Sequence, residues 1–204
     1  LKRTERRLEQ GFVKILEDEP FNQLTVAELV EASQVSRRSF YTYYTDKYDF
    51  LAAIERRIFD GSQQELKKDR ENIIKFQEPR KQRDEEKYLA TQDEFYHFAT
   101  FMLENKAVIR ALFSTNGDAT FAYKLGDVIK EELEKRNEFY QIDYATSIPK
   151  RYAEELYVGG IVNTFKIWAL TPSDEKEETV DEFLDILGKM QIISPYHLFK
   201  AKRN

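Results

Sequence analysis

The apolar positions of the chain recur at helical spacing almost from its first residue. Leu8, Phe12, Ile15 and Leu16 fall at i, i+4, i+7 and i+8, which predicts an amphipathic helix over 4–17 with one face on a core, stopping near Asp18 ahead of Pro20. Thr25 then offers an N-cap, with Glu28 three residues on to close a capping box and Leu24 and Leu29 placed as the flanking hydrophobic staple. A second helix therefore starts at Thr25. It ends by Ser33, because Ser36 is a further N-cap with Val35 and Phe40 as its own staple pair. Another start at Asp46 leads Phe50, Leu51, Ile54 and Ile58 into the apolar face of a longer helix. Two short helices joined by a turn of roughly three residues have the dimensions of a helix-turn-helix.

Downstream the pattern stays helical. Residues 61–87 are strongly charged with mixed signs, and their weak stripe of Leu66, Ile73 and Ile74 breaks at Pro79; they read as the solvated end of the fourth helix and a connector. From Asp93, Phe95, Phe98 and Met102, then Val108, Ile109 and Leu112, predict two helical segments that end at Asn116-Gly117. Phe121, Leu125, Val128, Ile129 and Leu133 continue after Asp118, and Ile148-Pro149 is a boundary. Two helices follow. Residues 151–170 are apolar nearly all the way round, which asks for neighbours on every side. Residues 179–190 show a cleaner stripe of Val180, Phe183, Leu184 and Leu187. The predicted fold is all-α.

Composition narrows the chemistry. With 7 glycines and 5 prolines in 204 residues and 34% charged residues, the chain favours helices over turn-dense sheets. The absence of cysteine removes disulfides, thiolate metal sites and cysteine nucleophiles together. His97 and His197 stand far apart, and there is no Gly-rich phosphate loop and no paired-histidine spacing, so no catalytic residue, metal or cofactor is expected. His97, between Tyr96 and Phe98, reads as a hydrogen-bonded structural histidine. The longest uncharged stretch of the back half, 156–165, is far shorter than the ~20 residues that cross a bilayer, so a soluble protein without membrane contact is expected. A net charge of −5 means that any contact with a polyanion must be local.

That local charge is present. Arg37, Arg38 and Lys47 face only Asp46 between residues 36 and 47, whereas residues 17–31 carry Glu17, Asp18, Glu19, Glu28 and Glu31 and no base. With Phe40 turned to the core, Arg37, Arg38, Ser39, Thr42 and Tyr43 lie on outer faces of the second short helix. Guanidinium groups can grip guanine O6 and N7 in a bidentate fork, and hydroxyls can reach phosphate oxygens. Lys47 could add a phosphate contact.

Leu24-Thr25-Val26, Val35-Ser36, Phe40-Tyr41, Tyr43-Tyr44 and residues 47–51 together resemble the N-terminal domain of the TetR family of bacterial transcriptional regulators, over about residues 4–58. The resemblance implies a cytoplasmic, all-helical homodimer. Residues 1–60 would form a three-helix DNA-binding domain with its helix-turn-helix at about 25–44. Residues 61–204 would form a helical body for effector binding and dimerisation, and a small molecule would usually relieve repression. The family's typical DNA contacts fall on Thr25, Ser36, Arg37, Arg38, Ser39, Tyr41, Thr42, Tyr43 and Lys47. Two positions depart from the pattern: the turn residue often held by glycine is Gln34, and the small residue often found early in the recognition helix is Arg38.

The last two helices would pair with the same helices of a partner, through Tyr157, Ile161, Phe165, Trp168, Phe183, Leu184 and Leu187, with Gly159-Gly160 permitting close approach. Such a dimer sets its recognition helices about one DNA turn, ~34 Å, apart and predicts a pseudo-palindromic operator in double-stranded DNA. An effector pocket is expected among Phe95, Phe98, Phe101, Met102, Phe113, Phe121, Tyr157 and Phe165, since apolar walls with few polar groups suit a small molecule. The alternative is a helical sensor or co-regulator that acts through a protein partner without binding DNA.

Overall fold

Side-chain caps set where the first helices begin. In the computed structural model, which describes residues 3–76, 94–144, 148–172, 174–193 and 199–201, α1 (Arg3–Leu16) buries Leu8, Phe12 and Leu16. α2 (Val26–Ala32) follows Thr25, whose Oγ1 accepts from the Glu28 amide at 3.3 Å while the Thr25 amide donates to Glu28 Oε2 at 2.8 Å. α3 (Arg37–Tyr43) follows Ser36, whose hydroxyl oxygen accepts from the Ser39 amide at 3.0 Å. Asp46 caps α4 (Lys47–Phe76) by accepting from the amides of Tyr48 and Asp49, each at 2.8 Å. Each start lies where the local pattern predicts it, because a cap is decided within about four residues of sequence.

α4 is 30 residues long, about 45 Å at the helical rise. The division expected at residue 60 therefore falls inside a helix. Phe50, Leu51 and Ile54 pack in the head, Ile58, Leu66 and Ile73 pack further along, and the two regions share this one element. The charged run expected to be a solvated helix end and connector is helical to Phe76, with Lys68 on Glu65 at 2.6 Å and Arg70 reaching Glu132 at 2.9 Å. Residues 77–93, including the break at Pro79, lie outside the described residues, as does His197.

The body consists of α5 (Tyr96–Glu104), α6 (Lys106–Phe113), α7 (Phe121–Tyr140), α8 (Lys150–Leu170) and α9 (Val180–Ile193). α5 has no cap of its own. Buried Asp69 of α4 supplies one by accepting from the amides of His97 at 2.8 Å and Phe98 at 3.1 Å. Burial pushes the Asp69 carboxyl above its ordinary range despite those bonds. His97 is itself structural, with Nε2 3.0 Å from Asn72 Nδ2. Phe98, Phe165 and Phe183 meet at successive centroid distances of 4.7 Å, and Trp168 stacks on Phe183 at 4.0 Å. These rings belong to one apolar core that runs from Leu8 to Leu187.

Among the described residues, one small departure from an all-helical chain occurs. Gln141, at φ +54°, ends α7, and β1 (Ile142–Tyr144) pairs antiparallel with β2 (Phe199–Ala201), Ile142 opposite Ala201. Three-residue strands are too short for alternation to show in sequence. No described helix is long and apolar enough to cross a membrane.

Candidate nucleic-acid interface

α3 stands on Phe40. Its ring is 0% exposed and lies 6.1 Å from Phe50, 5.5 Å from Tyr44 and 5.3 Å from Tyr41. The preceding turn is made by Gln34 at φ +52°, with the Gln34 amide donating to Glu31 O at 3.0 Å and the Val35 amide to Val30 O at 2.9 Å. That left-handed conformation costs a non-glycine residue roughly 1–2 kcal/mol, yet the turn keeps the geometry a glycine would adopt. Glutamine thus adopts at this position the left-handed conformation that glycine adopts without that cost.

With the anchor inside, Arg37, Arg38, Tyr41, Thr42 and Tyr43 face solvent, Tyr41 at 57% exposure. Neither guanidinium has a hydrogen bond or ion pair to any described residue. The hydroxyls expected near phosphate are engaged locally: Ser36 and Ser39 lie 2.8 Å from each other, Thr42 donates to Arg38 O at 2.8 Å, and Thr25 is the cap of α2. The Thr25 hydroxyl and amide also hold the Glu28 carboxyl below its usual range. The surface offered by α3 is therefore two unpaired cations flanked by aromatic and hydroxyl groups.

Lys47 has a different position from the one its sequence suggests. Its Nζ donates to the carbonyls of Phe21 at 3.1 Å, Asn22 at 2.8 Å and Leu24 at 2.7 Å, and it sits 5.3 Å from the ring centroids of both Phe21 and Tyr48. All three ammonium donors are thus engaged by the α1–α2 link, which Lys47 ties to the start of α4. Replacing Lys47 with Met should lower stability by about 1–3 kcal/mol, the cost of leaving such carbonyls without donors, as read from the denaturant midpoint. The salt dependence of DNA binding should keep its slope, whereas loss of a true phosphate contact would reduce it by about 0.9.

The expected dimer residues need correction. Tyr157, Ile161, Phe165, Trp168, Phe183, Leu184 and Leu187 are all buried within the single chain, where they join α8 and α9 to each other and to the body. The exposed apolar stripe of α8 is instead Tyr152, Leu156 at 58% and Ile167 at 63%, and α9 adds Ile186 and Met190. Met190 Sδ lies 3.6 Å from Thr164 Oγ1, so the α9 residues adjoin that stripe. Cβ atoms built on Gly159 and Gly160 would meet nothing within 4 Å, which leaves this face open to close approach.

The expected effector aromatics are likewise core. Phe95, Phe98, Phe121 and Phe165 are fully buried, Met102, Phe113 and Tyr157 nearly so, and Phe101 is partly buried against them. Phe113 meets Phe121 at 4.8 Å and Phe59 stacks on Phe121 at 5.4 Å, so rings fill the space that a ligand would need. A cleft of about 930 Å³ opens elsewhere, between the end of α1 (Val13, Leu16), one face of α6 (Ala107, Arg110, Ala111) and the segment after α8 (Pro172). Arg110 Nη1 donates to Thr171 O at 3.0 Å, and Lys106 pairs with Glu177 at 2.5 Å along its rim. The sequence holds one signal for it: Ala107 and Ala111 on α6 and Ser114 just after it are small residues at i, i+4 and i+7.

Comparison with known proteins agrees with this architecture. The family model for bacterial regulatory proteins of the TetR family matches residues 13–54, and that for a transcriptional regulator C-terminal region matches residues 90–190. No curated protein sequence matches the chain. Among solved structures, a putative TetR-family transcriptional regulator from Syntrophomonas wolfei str. Goettingen is similar at TM-score 0.59 and 12% identity, over 94% of each chain. The fatty acid degradation regulator FadR from Bacillus halodurans is similar at TM-score 0.57 and 12% identity, over 95% of this chain and 97% of that one. The dihydroxyacetone kinase operon activator DhaS follows at TM-score 0.52 and 13% identity, over 93% and 94%. At these identities the structures speak for the fold alone. The two family matches together cover more than half of the sequence, and the chain belongs to the TetR family of bacterial regulatory proteins, DNA-binding regulators rather than enzymes.

Proposed function

We propose that the chain is a homodimeric, sequence-specific transcriptional repressor that leaves its operator when a small molecule binds. The observation that carries this reading is α3, a capped helix anchored by Phe40 that turns two unpaired arginines to solvent. Arg37 and Arg38 would read guanine edges in the major groove, with Tyr41, Thr42, Tyr43, Ser36, Ser39 and Thr25 positioned along the phosphates. Lys47 holds the α1–α2 link that supports them.

The exposed stripe of Tyr152, Leu156 and Ile167 with Ile186 and Met190 supports an isologous dimer face, in which each protomer offers the same patch. The cleft between α1, α6 and the end of α8 supports effector binding at the joint of head and body. Its volume lies within the range of small-molecule sites, and a ligand there would touch both regions at once. Any difference in its affinity for two head positions would then appear as a change in DNA affinity. In a promoter-reporter assay the chain is expected to lower transcription from its operator and the effector to restore it; a rise would assign it the role of activator, the word in the name of DhaS.

The test is gel retardation of genomic fragments at moderate salt, with the mass measured in solution. A dimer that retains a pseudo-palindromic fragment is the expected result. Arg38→Ala should then cost about 1–3 kcal/mol of discrimination at one base position and relax preference there alone. A dimer that retains no DNA and captures a protein instead would replace this reading with that of a sensor acting through a partner.

A further inference from the structure

The turn between α6 and α7 is gripped from two sides. On one side Asn116 holds the head: its Nδ2 donates to Leu16 O at 3.0 Å and its carbonyl accepts from the Phe21 amide at 2.8 Å. On the other, Asp118 shares one lysine with Glu55 of α4. Lys124 Nζ lies 2.7 Å from Glu55 Oε2 and 2.9 Å from Asp118 Oδ2.

Glu55 is only 6% exposed, and its second oxygen, Oε1, has no hydrogen-bond partner. An ionised carboxylate is expensive there, since one oxygen is unsatisfied and a second carboxylate stands beside it. A proton changes both terms: the protonated carboxyl can donate to the neighbouring Asp118 carboxylate, and the like-charge repulsion ends. The charged groups that act on Glu55 are Asp118 and Lys124, while Arg57 on the same helix is turned to Glu9 and Asn105.

We propose that Glu55, Asp118 and Lys124 form a proton-operated latch on the joint between head and body. Protonated Glu55 fastens the α6–α7 turn to α4 and with it the grip of Asn116 on the head; ionised Glu55 loosens both. Burial and the neighbouring Asp118 carboxylate push the Glu55 carboxyl up to about 7 against the pull of Lys124. For Asp118, burial alone would raise the value, but the bonds from Glu55, Thr120 and Lys124 hold it well below the usual carboxylate range, so it remains the charged partner. Because the folded value of Glu55 lies above its ordinary 4.5, the latch's contribution is complete below that pH and is lost as pH rises through about 7. Only the last consequence, a pH-dependent operator affinity, rests on the DNA-binding reading.

The experiment compares the full chain with Glu55→Gln, whose amide is a permanent donor toward Asp118. Both carry the same two histidines, so the histidine contribution cancels. Between pH 6 and 8 the melting temperature of the unsubstituted protein should fall by roughly 3 °C or more relative to the variant. A ¹³C-carboxyl NMR titration should place Glu55 near neutrality and, in Asp118→Asn, return it toward the ordinary range. Operator affinity should change by roughly fivefold or more over the same interval in the unsubstituted protein and stay flat in Glu55→Gln. Parallel melting curves, or a Glu55 carboxyl that titrates below pH 5, would overturn the latch. Operator affinity that is flat in both proteins would overturn its coupling to the head. Failure to bind DNA at any pH would count against the functional reading while the melting and NMR results still judge the latch.

Discussion

Leu156→Glu combined with Ile167→Glu is expected to give a folded monomer that has lost operator binding. In the single chain both side chains stand in solvent, 58% and 63% exposed, so the new carboxylates remain hydrated and the melting temperature of the protomer should barely move. Across a two-fold face each carboxylate would be buried without a counter-charge and repeated by its symmetry mate, which an apolar interface does not tolerate. The loss of DNA affinity follows from geometry rather than from contact, because neither residue is near α3. Two heads on one body turn the second half-site into an intramolecular event, and removing that link should weaken operator binding by about 10²- to 10⁴-fold. Sedimentation or light scattering together with retardation measures both consequences. A variant that stays dimeric and keeps its affinity would move the dimer face off α8.

Phe40→Ala should be the most damaging single change in the head. The ring is fully buried and touches Phe50, Tyr44 and Tyr41, so truncation removes its transfer free energy and leaves a cavity among rigid rings. A loss of about 3–5 kcal/mol is expected, a large part of the stability of an ordinary domain, and urea titration followed by circular dichroism would read it as a lowered midpoint. Arg37→Ala makes the informative contrast. Its side chain is exposed and unpaired, so stability should change by less than about 0.5 kcal/mol while DNA binding falls. If Phe40→Ala were as mild as Arg37→Ala, α3 would not depend on its anchor, and the outward aim of the arginines would need another cause.

Much of the head is written in short-range pairs. Thr25 with Glu28, Ser36 with Ser39, and Asp46 with Tyr48 and Asp49 are bonds between residues two or three apart, so residue type and spacing are enough to predict them. The outward position of Arg37 and Arg38 follows from the same source, since Phe40 is placed by the staple and the helix period does the rest. Gln34 shows where this stops. Its resemblance to a glycine position marks a turn, but only the backbone shows that glutamine adopts the left-handed form there.

The body was less legible because its decisive contacts are distant in sequence. α8 is apolar on nearly every side, and hydrophobicity does not distinguish a face that meets its own domain from one that would meet a second copy. Packing against α9 and α5 takes Phe165 and Trp168 inward and leaves Leu156 and Ile167 outside. The aromatics of α5 to α7 have the composition of a pocket wall, yet they close on one another, and the cleft opens where helix ends meet. Lys47 reads as an exposed cation beside a basic helix until the carbonyls of Phe21, Asn22 and Leu24 are brought to it. Glu55 meets Lys124 of α7 only in the folded chain, where it is buried. Amino-acid order alone therefore determined the helices, the caps of α2 to α4 and the anchored arginine helix, all governed by hydrogen bonds and periodicity within a few residues. Which apolar faces stay open, where the cleft lies and which charges lose their water were decided only in the folded chain, because burial belongs to neighbours that sequence distance does not reveal.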